Sequence, residues 1–245
     1  MHRPKRWIIA PPSDRASELA GRLRTSPVIA QVLLNRGILQ AEECFNFLRP
    51  SLKCLHDPGG IPNLPKAAER VARAIRDREQ IVVYGDYDVD GITATAILWH
   101  AIRGLGGEVD YYIPHRIDEG YGLNAGAIAE ICDRGAQLII TVDCGVTAIE
   151  PVKLAKQRGV DVIVTDHHEW HVLAPPLTDG EAVHDPILPP CYTVVHPRLS
   201  ADDAGVAHRY ANPALCGAGV AFKLAWGIGQ ACNGGAAKVG DEFRA

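Results

Sequence analysis

Three aspartates at every second position, Asp86, Asp88 and Asp90, stand directly after the apolar run Ile81-Val82-Val83-Tyr84-Gly85. Carboxylates this close repel one another unless a cation sits among them. If the segment stays extended, all three face the same side. Asp and Gly are also ordinary turn and helix-cap residues, so one triplet decides little. Two more groups of the same kind follow. Asp143 ends the stretch Leu138-Ile139-Ile140-Thr141-Val142, and Asp166-His167-His168 follows Val160-Asp161-Val162-Ile163-Val164-Thr165. Each stretch is short and rich in β-branched residues, as a buried strand should be. In a parallel sheet the three clusters share one edge, the edge where open α/β sheets bind ligands. Caps and satisfied core histidines account poorly for three clusters on one rim.

Several carboxylates with one or two imidazoles suit Mn2+ or Mg2+ better than a thiolate-loving metal. Four carboxylates and a histidine are more than one ion needs. Two ions ~3.5–4 Å apart, bridged by a shared carboxylate, would use them. Asp143, on the strand between the other two clusters, is the natural bridge. Such a pair activates water and offsets the charge of an attacked phosphate, so the implied reaction is phosphoester hydrolysis. One of the two histidines ligates while its neighbour faces the phosphate or protonates the leaving oxygen.

The elements that must position these groups alternate along the chain. The pattern predicts strands at 81–85, 109–113, 137–142 and 160–165, with helices at 92–104, 123–134 and 146–158. A further strand is expected at 192–196 and a last helix at 219–229. The expected fold is α/β: a mostly parallel, Rossmann-like sheet flanked by helices and preceded by an N-terminal helical segment. Residues 1–79 are read as that segment, packing on the core, and 80–245 as the sheet domain. Within the first part, Ser26-Pro27 opens a helix, and Pro65 to Arg78 is amphipathic.

Composition narrows the class. No apolar run approaches the ~20 residues of a membrane span. The basic start, residues 1–10, has too short an apolar part for a signal peptide. Seven scattered cysteines, with no CxxC pair, argue for reduced thiols and a cytoplasmic location. Residues 1–80 carry 14 Lys and Arg against 8 Asp and Glu, whereas 81–245 carry 11 against 21. An acidic domain that holds cations, beside a basic flank, suits a polyanionic substrate.

The set DYDVDG (86–91), VDCG (142–145) and DHH (166–168) resembles the DHH phosphoesterase superfamily. IPHRIDEGYGLN (113–124), LLNRGI (33–38) and GAGVAFKLAW (217–226) narrow the likeness to the RecJ-type single-strand-specific exonucleases, over nearly the whole chain. The resemblance implies a metal-dependent nuclease, with two Mn2+ or Mg2+ ions, that removes nucleotides from the 5′ end of single-stranded DNA in repair and recombination. Carried over by motif, Asp86, Asp88, Asp90, Asp143 and His167 hold metal, with Asp88 and Asp90 favoured over Asp86. Asp166 and His168 are catalytic: Asp166 orients an imidazole and His168 contacts the scissile phosphate. Arg116 and Tyr121 would bind the strand, by phosphate pairing and base stacking. A monomer is expected, with single-strand-binding protein or a helicase as further partners and no membrane.

The likeness is incomplete. RecJ-type chains carry a further aspartate motif, a DHHA1 domain and an OB-fold, so this chain is expected to be an N-terminal fragment, inactive alone if the missing groups are needed. Many relatives have Asn-Pro before the last helix where this chain has His196-Pro197. No site is expected in 199–214, and His171, His184 and Asp185 are read as loop residues. The alternative function is a DHH phosphoesterase for short oligonucleotides or nucleotide phosphates; a non-catalytic scaffold would have lost metal ligands that are all present here.

Overall fold

A computed structural model describes residues 8–115, 120, 122–172 and 186–234. It divides into two compact units, Met1–Leu55 and His56–Ala245. The first holds α1 (Arg15–Leu23), α2 (Pro27–Asn35) and α3 (Ala41–Leu48). Ser26 caps α2 by accepting the Ile29 N–H, with Pro27 at the first helical position where its missing N–H costs nothing. Leu19, Leu23, Ala30, Leu33 and Cys44 form this unit's small core.

The second unit begins with α4 (Leu64–Asp77), which the sequence reading grouped with 1–79; its contacts are with the last helix and the edge strand of the sheet. Then follow β1 (Ile81–Gly85), α5 (Val89–Gly104), β2 (Val109–Tyr112), α6 (Ala125–Asp133), β3 (Leu138–Val142), α7 (Ile149–Gln157) and β4 (Asp161–Thr165). A short antiparallel pair, β5 (His171–Val172) and β6 (Pro186–Ile187), precedes β7 (Thr193–Val195) and α8 (Gly217–Cys232).

The main sheet has the order β2-β1-β3-β4-β7, with every pair parallel. Alternation along each strand sorts its side chains to two faces. Ile81, Val83, Leu138, Ile140 and Ile163 meet α4, α5 and α8; Val82, Tyr84, Ile139, Val162 and Val164 meet α6 and α7. A sheet covered on both faces explains why its strands are nearly continuous apolar runs. The chain leaves β1 toward β2 on one side and returns to β3 on the other. The order therefore reverses between β1 and β3, and the crevice beyond their carboxyl ends is the expected binding place.

The edge strand β7 is pinned by one residue. Asn63 sits in the left-handed region (φ 64°), buried, and its Nδ2 donates to Val194 O at 2.8 Å while its Oδ1 accepts the Asp203 N–H at 2.7 Å. Asn tolerates that backbone better than most residues. Asn63→Ala removes both bonds, one buried and one half-buried, and adds backbone strain. It should lower the unfolding free energy by about 2–4 kcal/mol in a urea titration. A shift under about 0.5 kcal/mol, the scatter of an ordinary surface change, would mean that Asn63 does not fasten this edge.

Candidate metal centre

Three strand ends of one sheet edge build the site, as the spacing predicts. Asp86 follows β1, Asp143 follows β3, and Asp166-His167-His168 follows β4. Asp86, Asp143 and Asp166 are almost wholly buried. Asp143 adopts φ 61°, an uncommon conformation for a residue with a side chain, and its N–H donates to Thr165 O at 3.1 Å. Gly145, at φ 111°, follows because a Cβ there would lie 2.7 Å from Thr141 Oγ1.

The aspartate triplet does not stay extended. The chain turns into α5 at Val89, and Asp88 becomes its N-cap, accepting the N–H groups of Asp90 (2.8 Å) and Gly91 (3.0 Å). Asp90 is thereby carried onto the first turn of α5 and away from its two neighbours. Its carboxylate accepts the N–H groups of Gly217 and Ala218, each at 2.7 Å, at the start of α8. Sequence reasoning missed this partnership; the Gly-Ala-Gly opening of a helix was the available signal. The close approach requires glycine, because a Cβ on Gly217 would fall 2.5 Å from Asp143 Oδ1.

Two groups of side chains offer atoms within 4.8 Å of one another, Asp86–Asp88–Asp143 and Asp143–His167–His168. Asp143 belongs to both. Among the described residues, only four buried side-chain polar atoms lack a hydrogen-bond partner, and Asp86 Oδ1 and Asp143 Oδ1 are two of them. His167 Nε2 lies 3.0 Å from Asp143 Oδ1 but without hydrogen-bond alignment, and 3.6 Å from Asp90 Oδ2. Buried acceptor oxygens left bare at two adjoining groups are what a hard cation would satisfy. The donor set of carboxylate and imidazole fits Mn2+ or Mg2+.

Electrostatics separate the roles. Burial, then the Asp90 and Asp88 carboxylates, push Asp143 up to about 7. Burial, with Asp88 adding, also raises Asp86 against the backbone N–H groups of Tyr87 and Gly122. Burial pushes Asp90 the same way, but the Ala218 and Gly217 N–H groups outweigh it and its carboxyl is held below the usual range. Asp166 Oδ1 lies 2.7 Å from His168 Nδ1, and Asp166 also accepts the Val146, His167 and His168 N–H groups. This pairing raises His168, while burial and then the neighbouring His168 charge lower His167. Two adjacent imidazoles are thus tuned in opposite directions: His167 toward the neutral form a metal needs, His168 toward the form that gives a proton. A groove lined by Gly122, Gly145, Val146, Thr147, His168 and Glu169 opens beside them. Arg116 and Tyr121, with His184 and Asp185, lie outside the described residues.

Residues 80–241 match the DHH family, N-terminal domain. The single-stranded-DNA-specific exonuclease RecJ of Bacillus subtilis is 40% identical over 221 residues, 90% of this chain and 26% of that protein. RecJ of Thermus thermophilus is 36% identical over 225 residues, 91% of this chain and 29% of that one. Among solved structures, exonuclease RecJ bound to manganese is 37% identical with a TM-score of 0.53, covering 69% of this chain and 38% of that chain. RecJ in complex with Mn2+ from Thermus thermophilus is 31% identical with a TM-score of 0.63, covering 91% and 28%. The chain therefore spans between a quarter and a third of the length of these curated relatives.

The Asp143 shift fixes a pH dependence. Its carboxyl is near 7 in the fold and ~3.9 in the unfolded chain. Without a cation, the folded state therefore binds the extra proton, and stability falls as pH rises from about 4 to about 7. The loss is on the order of 4 kcal/mol. Asp143→Asn should flatten that slope in urea titrations at successive pH values, and Mn2+ should raise the midpoint of the unsubstituted chain more at pH 8 than at pH 5. Parallel slopes for the two proteins would show that Asp143 is not the group under strain. Gly217→Ala should weaken Mn2+ binding at least about tenfold, the usual scale for disturbing a group that orients ligands; unchanged affinity would mean that α8 yields without moving Asp143.

Proposed function

The chain belongs to the DHH family, and from that premise we propose that it carries the catalytic chemistry of a metal-dependent exonuclease acting on single-stranded DNA. The observation that carries the proposal is Asp143, a buried carboxylate shared by two groups that could hold a cation, one of which includes a pair of histidines tuned in opposite directions. The similarity to RecJ proteins supports the choice of DNA over a smaller phosphoester. Asp86, Asp88 and Asp143 would hold one ion and Asp143 with His167 a second, whereas Asp90, which the sequence favours over Asp86 as a ligand, lies outside both groups with its carboxylate on the α8 amides. When bound, the ions supply activation of water and charge neutralisation at the phosphate.

The chain's own residues do the rest. Asp166 orients the His168 ring and favours its protonated form, so that His168 faces a scissile phosphate as an electrostatic partner and proton donor. Its Nδ1 is committed to Asp166, which leaves Nε2 as the atom that gives the proton. Asp90, gripped by the α8 amides, keeps a negative charge close to His167 without competing for the same proton. Arg116 and Tyr121 receive the strand, digestion runs from the 5′ end, and the enzyme works in the cytoplasm in DNA repair and recombination. Single-strand-binding protein or a helicase would present its substrate.

Single strands labelled at the 5′ or the 3′ end, incubated with the chain and Mn2+, test this reading. The expected result is early release of the 5′ label as a mononucleotide, abolished by Asp143→Ala and by chelation. Calorimetry runs alongside, with Mn2+ binding lost in Asp143→Ala. Preference for dinucleotides over long strands would replace the reading with an oligonucleotide phosphoesterase. Undiminished Mn2+ binding in Asp143→Ala would remove its metal centre altogether.

A further inference from the structure

The two histidines that follow β4 stand on backbone with no strand or helix to hold it, since regular structure stops at Thr165. Their carbonyls need donors from elsewhere. The turn after β7 supplies both. His196 is fully buried, and its Nδ1 accepts the Arg198 N–H at 3.1 Å. A neutral imidazole that accepts at Nδ1 carries its proton on Nε2. That nitrogen lies 2.9 Å from His168 O, in place to donate. Two residues on, Arg198 Nη2 donates to His167 O at 2.6 Å, and its other arm pairs with Glu169. The Trp170 ring meets His196 edge-on at 4.8 Å and lies under the Arg198 guanidinium at 5.7 Å.

We propose that His196 and Arg198 are positioning residues, which hold the carbonyls of His168 and His167 and so fix the backbone from which both imidazoles project into the metal centre. The inference rests on the function proposed above for those imidazoles. It gives His196 a task that the sequence alone left open. The arrangement is a strut from the sheet edge: β7 is pinned by Asn63 on one side and ends in the two donors on the other. A loss of either donor leaves a buried or half-buried carbonyl bare, and the histidine-bearing segment can relax away from Asp143.

Side-chain isosteres separate the two nitrogens of His196. Gln places its amide N–H near the position of Nε2, so His196→Gln can still donate to His168 O. Asn reaches only as far as Nδ1, so His196→Asn can accept from Arg198 N–H but cannot reach that carbonyl. Calorimetry with Mn2+ on folded samples, checked by circular dichroism, reads the difference. His196→Asn and Arg198→Met should bind Mn2+ about tenfold more weakly than the unsubstituted chain, and His196→Gln within about threefold of it. Equal losses in the Asn and Gln variants, or no loss in either, would overturn the proposal. If His196→Asn does not fold, the contrast between His196→Gln and Arg198→Met decides on the same scale.

A second readout does not need the metal. In a 15N-edited imidazole spectrum of the metal-free chain, His196 should show the Nε2–H tautomer, and the His168 ring signals should move in His196→Asn but hold in His196→Gln. An Nδ1–H tautomer at His196, or an unmoved His168 in every variant, would overturn the strut. A chain that binds no Mn2+ while passing this spectral test would instead sink the proposed function and leave the strut standing.

Discussion

The repulsion among carboxylates collected at one sheet edge is the constraint that the rest of the site answers. Asp86, Asp88, Asp90 and Asp143 converge there because strand ends β1 and β3 are neighbours in the sheet. Water reaches Asp88 and part of Asp90 but cannot screen Asp86 and Asp143, which are buried. The protein relieves the strain in three ways. It hands Asp90 to the amides of α8, it makes Asp88 a helix cap, and it leaves Asp143 protonated until near neutrality. The first two commit oxygens to N–H groups. The third, with the bare oxygen on Asp86, is the unresolved remainder that a divalent cation would absorb.

Much of this is legible from residue order, for a definite reason. Central parallel strands are buried on both faces, so Leu138-Ile139-Ile140-Thr141-Val142 and Val162-Ile163-Val164 announce themselves as unbroken apolar runs. Parallel direction then fixes which end of each strand carries its acidic group. The strands predicted at 81–85 and 137–142 accordingly stand at Ile81–Gly85 and Leu138–Val142. Helix starts are less legible. α5 begins at Val89 and not at 92, because the aspartates that look like a loop are its cap and first turn. α7 begins at Ile149 and not at 146, because Asp143 and Gly145 both take left-handed backbone and delay the helix.

What residue order does not carry is partnership across distance. Nothing in Asp90 announces that its oxygens face Gly217 and Ala218, and nothing in His196 announces the carbonyl of His168. These pairings arise from the close approach of α8 and from the edge position of β7, which are properties of packing. Gly217 is informative only once Asp143 is known to lie where its Cβ would be. Likewise, α4 reads as one more amphipathic helix until its contacts with α8 and β7 assign it to the sheet.

The bond between Asp90 and the amides of α8 spans 127 and 128 residues of chain. A contact of such separation closes a long loop, and the strands and helices that order between its ends reduce the entropic cost of closing it. During synthesis Asp90 therefore leaves the ribosome well before the α8 amides that bind it. The place that Asp90 takes at the candidate site is therefore settled only when α8 packs against α5.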